Sequence, residues 1–294
     1  MKKLQMHVGI VGTGKMGTAI AQNLLDRGYR ISAWNVDRGM MDAVVAAGAT
    51  PYDDVDSLMA SVDAAIVMLW DDDVAREISL GRIIPAAREG QLIIETTTLS
   101  PQMYELLAEA AAQRGVDFLA SPVLGSVDGA RTGTLTLLPG GTGKAFERAR
   151  ELLSAMSSTA KFTGSPAASG HIKLAYNAML CVNADAIGEL LRIMRQAGVD
   201  RTMAVDALAQ ALERVATKRQ QLHERDTQAR FSANALLKDL RLARSARQSL
   251  GVDAPLLDAA LAEYEEAVET GGAGNEDYIA AALVVERRTI FPRG

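Results

Sequence analysis

Three glycines in the run Gly12-Thr13-Gly14-Lys15-Met16-Gly17 have the spacing that holds a dinucleotide pyrophosphate. The first permits a tight turn, the second lets the backbone approach the phosphates, and the third lets helix and strand pack closely. The run follows an apolar stretch, 6–11, and opens the helical pattern of Ala19-Ile-Ala-Gln-Asn-Leu24. Free N–H groups and a partial positive charge at such a helix start suit an anion. A bare strand–helix turn would look the same without this context. Asn35 stands 23 residues after Gly12, near where an acid would bind a ribose 2′-hydroxyl. An amide there does not repel a 2′-phosphate and Arg38 can pair with one, so the coenzyme reading leans to NADP over NAD. Asp37 could instead reach the hydroxyl or serve the turn. Farther along, Lys173 and Asn177 lie four residues apart and share one helix face. An ammonium and an amide so placed can donate to and orient a substrate oxygen, although a solvated lysine on a long helix has the same spacing.

Other chemistries are excluded or disfavoured. The single cysteine, Cys181, leaves no internal disulfide and no Cys-clustered zinc site, and its apolar surroundings predict a small buried hydrophobe. His7, His171 and His223 never fall at metal-ligand spacing, so no metal is expected. The formal charge of −5 over 294 residues disfavours nucleic acid as a partner. The Arg-rich segment 218–247 is interrupted by Glu224, Asp226 and Asp239 and reads as solvated helix surface. No uncharged run approaches the roughly 18 residues of a membrane span. Lys2 and Lys3 precede an apolar run, but the run breaks at Gly12, too early for a signal peptide, and a cytoplasmic protein is expected.

The elements that must position these residues alternate. Buried strands are expected at 6–11, 30–34, 64–69, 92–95 and 116–119, with helices at 15–26, 38–47, 73–80 and 101–113. A further strand at 134–138 and helix at 144–156 follow. This is an α/β grammar: a Rossmann-type, mostly parallel sheet covered on both faces. After Gly164 strand-like runs vanish. A long helix is expected over 167–196, opened by Ser165-Pro166, and further helices follow Asp200, Ser232 and Asn275. The expected domains are therefore 1–164, binding dinucleotide, and 165–294, all-α, with a shared cleft.

The ordered set of motifs resembles the β-hydroxyacid dehydrogenase family. The opening run matches GxGxMGxxxAxNL, and Val67-Met-Leu69-Trp70-Asp71 is similar to its Met-Leu-Pro-Asp stretch. Glu95-Thr-Thr-Thr98-Leu-Ser-Pro101 is similar to Asp-x-Ser-Thr-x-x-Pro, with Thr98 at the position of a cofactor-contacting threonine. Ser121-Pro-Val-Leu124-Gly125-Ser126, continuing to Gly129 through Leu135, resembles the substrate loop. The segment Ser169 to Asn177 corresponds to that carrying the catalytic Lys and Asn. Leu237-Lys238-Asp-Leu-Arg-Leu-Ala243 looks like the helix whose Lys reaches the nicotinamide region.

The resemblance implies an NAD(P)-dependent oxidoreductase that moves a hydride between the coenzyme and a small hydroxy acid or semialdehyde. It assigns Lys173 as general acid/base, Asn177 as its catalytic partner, and Leu69, Trp70, Thr98 and Lys238 to the coenzyme. Without it, Lys238 is an exposed lysine pairing with acids such as Asp239, Thr98 a strand-end hydroxyl serving the backbone, and Trp70 core packing. Departures lie in the substrate loop, where Ala120 replaces Asp, Leu124 replaces the Ser that helps hold a carboxylate, and Ser126 replaces Gly. These make the pocket more apolar. An imine reductase on the same scaffold and a non-catalytic dinucleotide-binding protein are the alternatives, though imine reductases generally lack a lysine at position 173. Apolar residues in the C-terminal helices exceed what one cleft requires, which implies a homodimer or higher homo-oligomer.

Overall fold

A computed structural model describes residues 6–287, so Lys2 and Lys3 lie outside the described residues. The alternation of strands and helices is present: β1 (His7–Val11), α1 (Lys15–Asp26), β2 (Arg30–Trp34), α2 (Asp42–Ala46), β3 (Thr50–Pro51), α3 (Val55–Ser61) and β4 (Ala64–Val67). Then come α4 (Asp72–Ala75), a π-helical stretch (Arg76–Ile83), α5 (Ile84–Ala86), β5 (Leu92–Glu95), α6 (Pro101–Gln113) and β6 (Asp117–Ala120). The strand–helix region ends with β7 (Val123–Leu124), α7 (Val127–Thr132), β8 (Leu135–Leu137), β9 (Gly140–Gly141), α8 (Gly143–Met156) and β10 (Ser157–Ala160).

The main sheet has strand order β3-β2-β1-β4-β5-β6-β9, parallel except where β9 runs against β6. A small sheet, β10-β8-β7, lies beside it in sequence. Because side chains alternate along a strand, β1 sends Val8 and Ile10 to one core cluster and Val11 to another. The first cluster includes Leu24, Ile31, Ile66 and Ile94, and the second includes Leu58, Ile93, Tyr104 and Leu107. Truncating one such fully buried aliphatic to alanine costs about 2–5 kcal/mol. The parallel register places Val11, Trp34, Val67, Glu95 and Ala120 in one row, so the turns that follow them gather along one edge. Open α/β sheets bind ligands at that edge, where the order switches about β1.

The C-terminal helices are α9 (Pro166–Gln196), α10 (Arg201–Ala216), α11 (Arg219–Glu224), α12 (Ala233–Ser249), α13 (Pro255–Glu269) and α14 (Ala280–Arg287). Ser165 caps α9 through the Ala168 amide at 3.2 Å, and Asp200 and Ser232 cap α10 and α12. α13 has no cap of its own. The Glu189 carboxylate on α9 supplies one, accepting from the Leu256 and Leu257 amides at 3.0 and 3.2 Å. The compact units are Met1–Ala178 and Met179–Gly294, a division that falls within α9. No helix among the described residues is long and apolar enough to cross a membrane.

Several expectations need correction. The helix expected at 38–47 is a 3-10 turn, Arg38–Met41, followed by α2, because Asp37 accepts from the Gly39 amide at 3.0 Å and tightens the start. The one expected at 73–80 begins at Asp72, capped by Asp71, and passes into the π-helical stretch. Asn275 opens no α-helix. It ends a 3-10 turn, and α14 starts five residues later. The Arg-rich segment is not solvated throughout: Lys218 is buried against Asp277, and Arg247 is buried against Asp258 and the Val252 carbonyl. Cys181 is exposed, since that stretch of α9 turns its apolar residues outward.

Candidate active site

β1 ends in the glycine turn. Gly12 has φ +91°, and a Cβ there would sit 2.0 Å from the Met68 carbonyl oxygen, so only glycine fits. A Cβ at Gly17 would stand 2.0 Å from the Gly12 carbonyl oxygen, which is the close packing of helix on strand. Gly14 differs. It is the N-cap of α1, no side chain caps that terminus, and a Cβ there would meet nothing within 4 Å. Most of the neighbouring helices carry an Asp, Ser or Thr cap; this one presents bare amides to open space, as an anion site requires. Met16 is half-buried against the core and Lys15 is exposed.

Thr13 and Asn35 hold the turn in place. The Asn35 Oδ1 accepts from the Thr13 amide at 3.0 Å, its Nδ2 donates to the Asp37 carbonyl at 2.9 Å, and the Thr13 hydroxyl donates to the Met40 carbonyl. Asn35 therefore braces the phosphate turn as well as facing the β2 end. Arg38 is exposed and ion-paired with Asp53. Both line a pocket of about 230 Å³ with Trp34, Asn35, Tyr52 and Ile78. Thr13 and Lys15 line a wider pocket of about 550 Å³ on the flank of α1. An uncapped helix start and a polar pocket at the end of β2 are the donor chemistry a dinucleotide needs, so the residues present fit such a coenzyme.

Along the same edge, Trp70 is 85% exposed, which rules out a core-packing role. Half-buried Leu69 donates its amide to the Thr97 hydroxyl at 2.7 Å. The loop from Thr96 to Ser100 is clamped at several points. The Thr96 hydroxyl donates to the Val67 carbonyl, Tyr104 donates to the Thr97 carbonyl, and Asp72 accepts from the Ser100 amide and hydroxyl. Thr98 is half-buried, and its hydroxyl makes no hydrogen bond among the described residues.

The first turns of α9 lie against the start of α6: a Cβ at Gly170 would come within 3.1 Å of the Pro101 Cα. Lys173 follows on that helix, 9% exposed, and its Nζ donates to the Val123 carbonyl at 2.8 Å. Burial lowers its pKa from the ordinary lysine range, with no opposing charge close enough to restore it. The Tyr176 ring lies 5.7 Å from the Nζ. Asn177 is half-buried and without a hydrogen bond among the described residues. The acceptor carbonyl belongs to the residue before Leu124, itself half-buried, so the structure brings Lys173 to the loop expected to hold substrate. Gly125 has φ +136°, and Ser126 caps α7 by accepting from the Gly129 amide at 3.2 Å. Lys238 lies on α12, 68% exposed, paired with Asp239 at 3.0 Å. Among the described residues no group of three His, Cys, Asp or Glu could hold a metal ion.

Residues 7–164 match the family described as the NAD binding domain of 6-phosphogluconate dehydrogenase, and residues 167–285 that described as NAD-binding of NADP-dependent 3-hydroxyisobutyrate dehydrogenase. The chain belongs to the β-hydroxyacid dehydrogenase family. Membership makes it an NAD(P)-dependent oxidoreductase. It is 26% identical to 2-(hydroxymethyl)glutarate dehydrogenase of Eubacterium barkeri, over 97% of this chain and 96% of that one. It is 29% identical to an NAD-dependent L-serine dehydrogenase of Pseudomonas aeruginosa, over 90% and 93%. Among solved structures, an imine reductase from Pseudomonas sp. shares the fold with TM-score 0.83 at 20% identity, covering 96% of this chain and 99% of that one.

Sequence reasoning passed over Glu95, Ser79, Asp72 and Tyr104, which hold the loop, and Asp53, which engages Arg38. For Glu95 a signal was present: a carboxylate closing an otherwise apolar buried strand.

Proposed function

We propose that this dehydrogenase interconverts a hydroxyl and a carbonyl on a small organic substrate of hydroxy-acid or semialdehyde type, with Lys173 as the proton donor and acceptor. The observation that carries the proposal is the buried Lys173 amine beside the Val123–Leu124 strand, with its pKa lowered by desolvation. When bound, the nicotinamide coenzyme supplies or accepts the hydride. In reduction, charge develops on the substrate oxygen, and the Lys173 ammonium stabilises it and gives up a proton. In oxidation the amine must begin neutral and take the hydroxyl proton. Lowering its pKa makes that form accessible nearer neutrality. Asn177, one turn along the same face, orients the oxygen.

The phosphate contacts fall to the amides from Gly12 to Gly17, with Thr13, Lys15 and Met16 around them, and the adenosine end to Asn35 and Arg38. Leu69, Trp70, Thr98 and Lys238 serve the nicotinamide half. Arg38, with an amide rather than an acid at Asn35, supports a lean to NADP, which Asp53 opposes by holding the guanidinium. Leu124, Gly125 and Ser126 form the substrate loop. Leu124 brings an apolar wall where a hydroxyl donor would hold a carboxylate, which favours a less polar or bulkier substrate than a short hydroxy acid. The same feature supports a second reading, reduction of a cyclic imine, against which Lys173 stands. Residues 1–164 would bind coenzyme and 165–294 would serve substrate and dimerisation. The exposed apolar residues Met179, Leu180, Val182 and Met203 support a homodimer, and the single cysteine is compatible with the cytoplasm.

The test is a panel of hydroxy acids, semialdehydes and cyclic imines run with NADH and NADPH, preceded by coenzyme fluorescence titration. Turnover of hydroxy acids or semialdehydes is expected. Binding without turnover of any of them, or turnover of imines alone, contradicts the proposal.

A further inference from the structure

Glu95 closes β5 with no exposed surface, and the reaction just described leaves its carboxyl group unused. Its Oε1 accepts from the Thr97 hydroxyl and, at 3.2 Å, from the Thr97 amide. Its Oε2 accepts from the Ser79 hydroxyl at 2.8 Å, on the π-helical stretch. The Thr97 hydroxyl also accepts from the Leu69 amide, and a hydroxyl carries one proton. The direction of the chain follows: the Leu69 N–H donates to Thr97 Oγ1, and Thr97 Oγ1–H donates to Glu95. One buried acceptor therefore ties together the loop after β4, the loop after β5 and the helix between them. Tyr104 on α6 fixes the remaining polar group of Thr97, its carbonyl. Thr98 is left as the loop residue whose hydroxyl makes no hydrogen bond among the described residues.

We propose that Glu95, as the carboxylate, is a positioning residue that sets the spacing between Leu69–Trp70 and Thr98 required for the coenzyme. This rests on the assignment of those residues to the nicotinamide half. An ionised carboxyl is all acceptor and satisfies all three donors. A protonated one carries a hydrogen that competes with them, and Glu95 has no exposed surface through which solvent could compensate. Burial pushes the Glu95 carboxyl up to about 7, against the opposing hydrogen bonds of Thr97 and Ser79. The titratable groups facing it are Tyr104 from α6, itself held neutral by burial, and beyond it Asp72 from α4. No cation pairs with Glu95 among the described residues, so the hydroxyl and amide donors alone hold the charge.

The test compares wild type with Glu95→Gln, which keeps the shape but removes the ionisation. NADH and NADPH dissociation constants are measured by fluorescence from pH 6 to 9, and Leu69 amide exchange is followed in coenzyme-free protein. Wild-type affinity for the tighter coenzyme is expected to improve several-fold as pH rises through about 7. The Gln variant should be weaker at pH 8.5, flat across the range, and faster to exchange at Leu69. A Gln variant with wild-type affinity, pH profile and exchange overturns the inference. Should that variant fail to fold, Thr97→Val and Thr97→Ser decide it. Val should weaken coenzyme binding and speed Leu69 exchange while Ser restores both, and equal behaviour of the two overturns it. Absence of coenzyme binding by wild type would instead show as a failure of the functional reading, with the Leu69 exchange difference intact.

Discussion

The Lys173 ammonium donates to the Val123 carbonyl oxygen across 50 residues of sequence, at 2.8 Å and largely buried. One polar contact, to a neutral acceptor, holds a side chain that elsewhere would seek a carboxylate. The amine is therefore poorly compensated for its burial, and that is why its pKa falls. It is also left with two donor positions for a substrate oxygen.

The pairing of Arg38 with Asp53 bears on coenzyme choice. Both side chains are about three-quarters exposed, so the pair stabilises little and mainly redirects the guanidinium. Asp53→Asn is expected to raise the NADPH-to-NADH ratio of kcat/KM several-fold, and Arg38→Ala to lower it. An unchanged ratio in both variants would remove Arg38 from coenzyme selection.

Two glycines of one turn should respond oppositely. Gly17→Ala drives a methyl group into the Gly12 carbonyl and should lower Tm by many degrees. Gly14→Ala meets nothing in the protein and suits the local backbone, so Tm should move little while the coenzyme Kd rises at least ten-fold. Thermal melts and fluorescence titration on the same samples separate the two, and a Gly14→Ala protein with normal affinity would argue that the pyrophosphate lies elsewhere.

Leu124→Ser tests the apolar wall. If the leucine excludes carboxylate-bearing substrates, kcat/KM for short hydroxy acids should rise by about ten-fold, the worth of one added hydrogen bond to a charged group. No gain would place the selectivity in another residue.

The second unit depends on a buried ion pair. Lys218 reaches both oxygens of Asp277 at 2.9 Å, and Asp277 also accepts from the amides of Arg230, Phe231 and Ile279. Burial pushes the Asp277 pKa up, but these hydrogen bonds together hold it below the ordinary carboxylate value. Its folded-state pKa is depressed, so its contribution to stability is present above the unfolded pKa and lost as pH falls through the folded one. Lys218→Ala strands the carboxylate and should cost about 3 kcal/mol at neutral pH, less in acid. Urea denaturation at two pH values measures both, and equal losses at each would contradict the role given to Asp277.

Much of the first unit was legible because strand and helix periods differ and each glycine turn has a mechanical reason. Arg30–Trp34, Leu92–Glu95, Lys15–Asp26 and Pro101–Gln113 agree with expectation to the residue. Short elements such as Val55–Ser61 escaped because seven residues scarcely exceed one amphipathic repeat, and tertiary packing decides them. Of the site, residue types at fixed spacing could be read, and long-range hydrogen bonds could not. Nothing in the spacing of Asn35 announces that its amide braces Thr13, or in Ser126 that it caps a helix. Cys181 was misplaced because apolar neighbours predict burial only when the whole helix face is covered.

The central assignment is best tested by Lys173→Ala, with kcat and coenzyme Kd measured on the same preparation. Removal of a general acid/base is expected to lower kcat by at least about 100-fold, with Kd changing less than three-fold because the amine bonds to the Val123 carbonyl rather than to the glycine turn. A kcat within a few-fold of wild type would contradict the account.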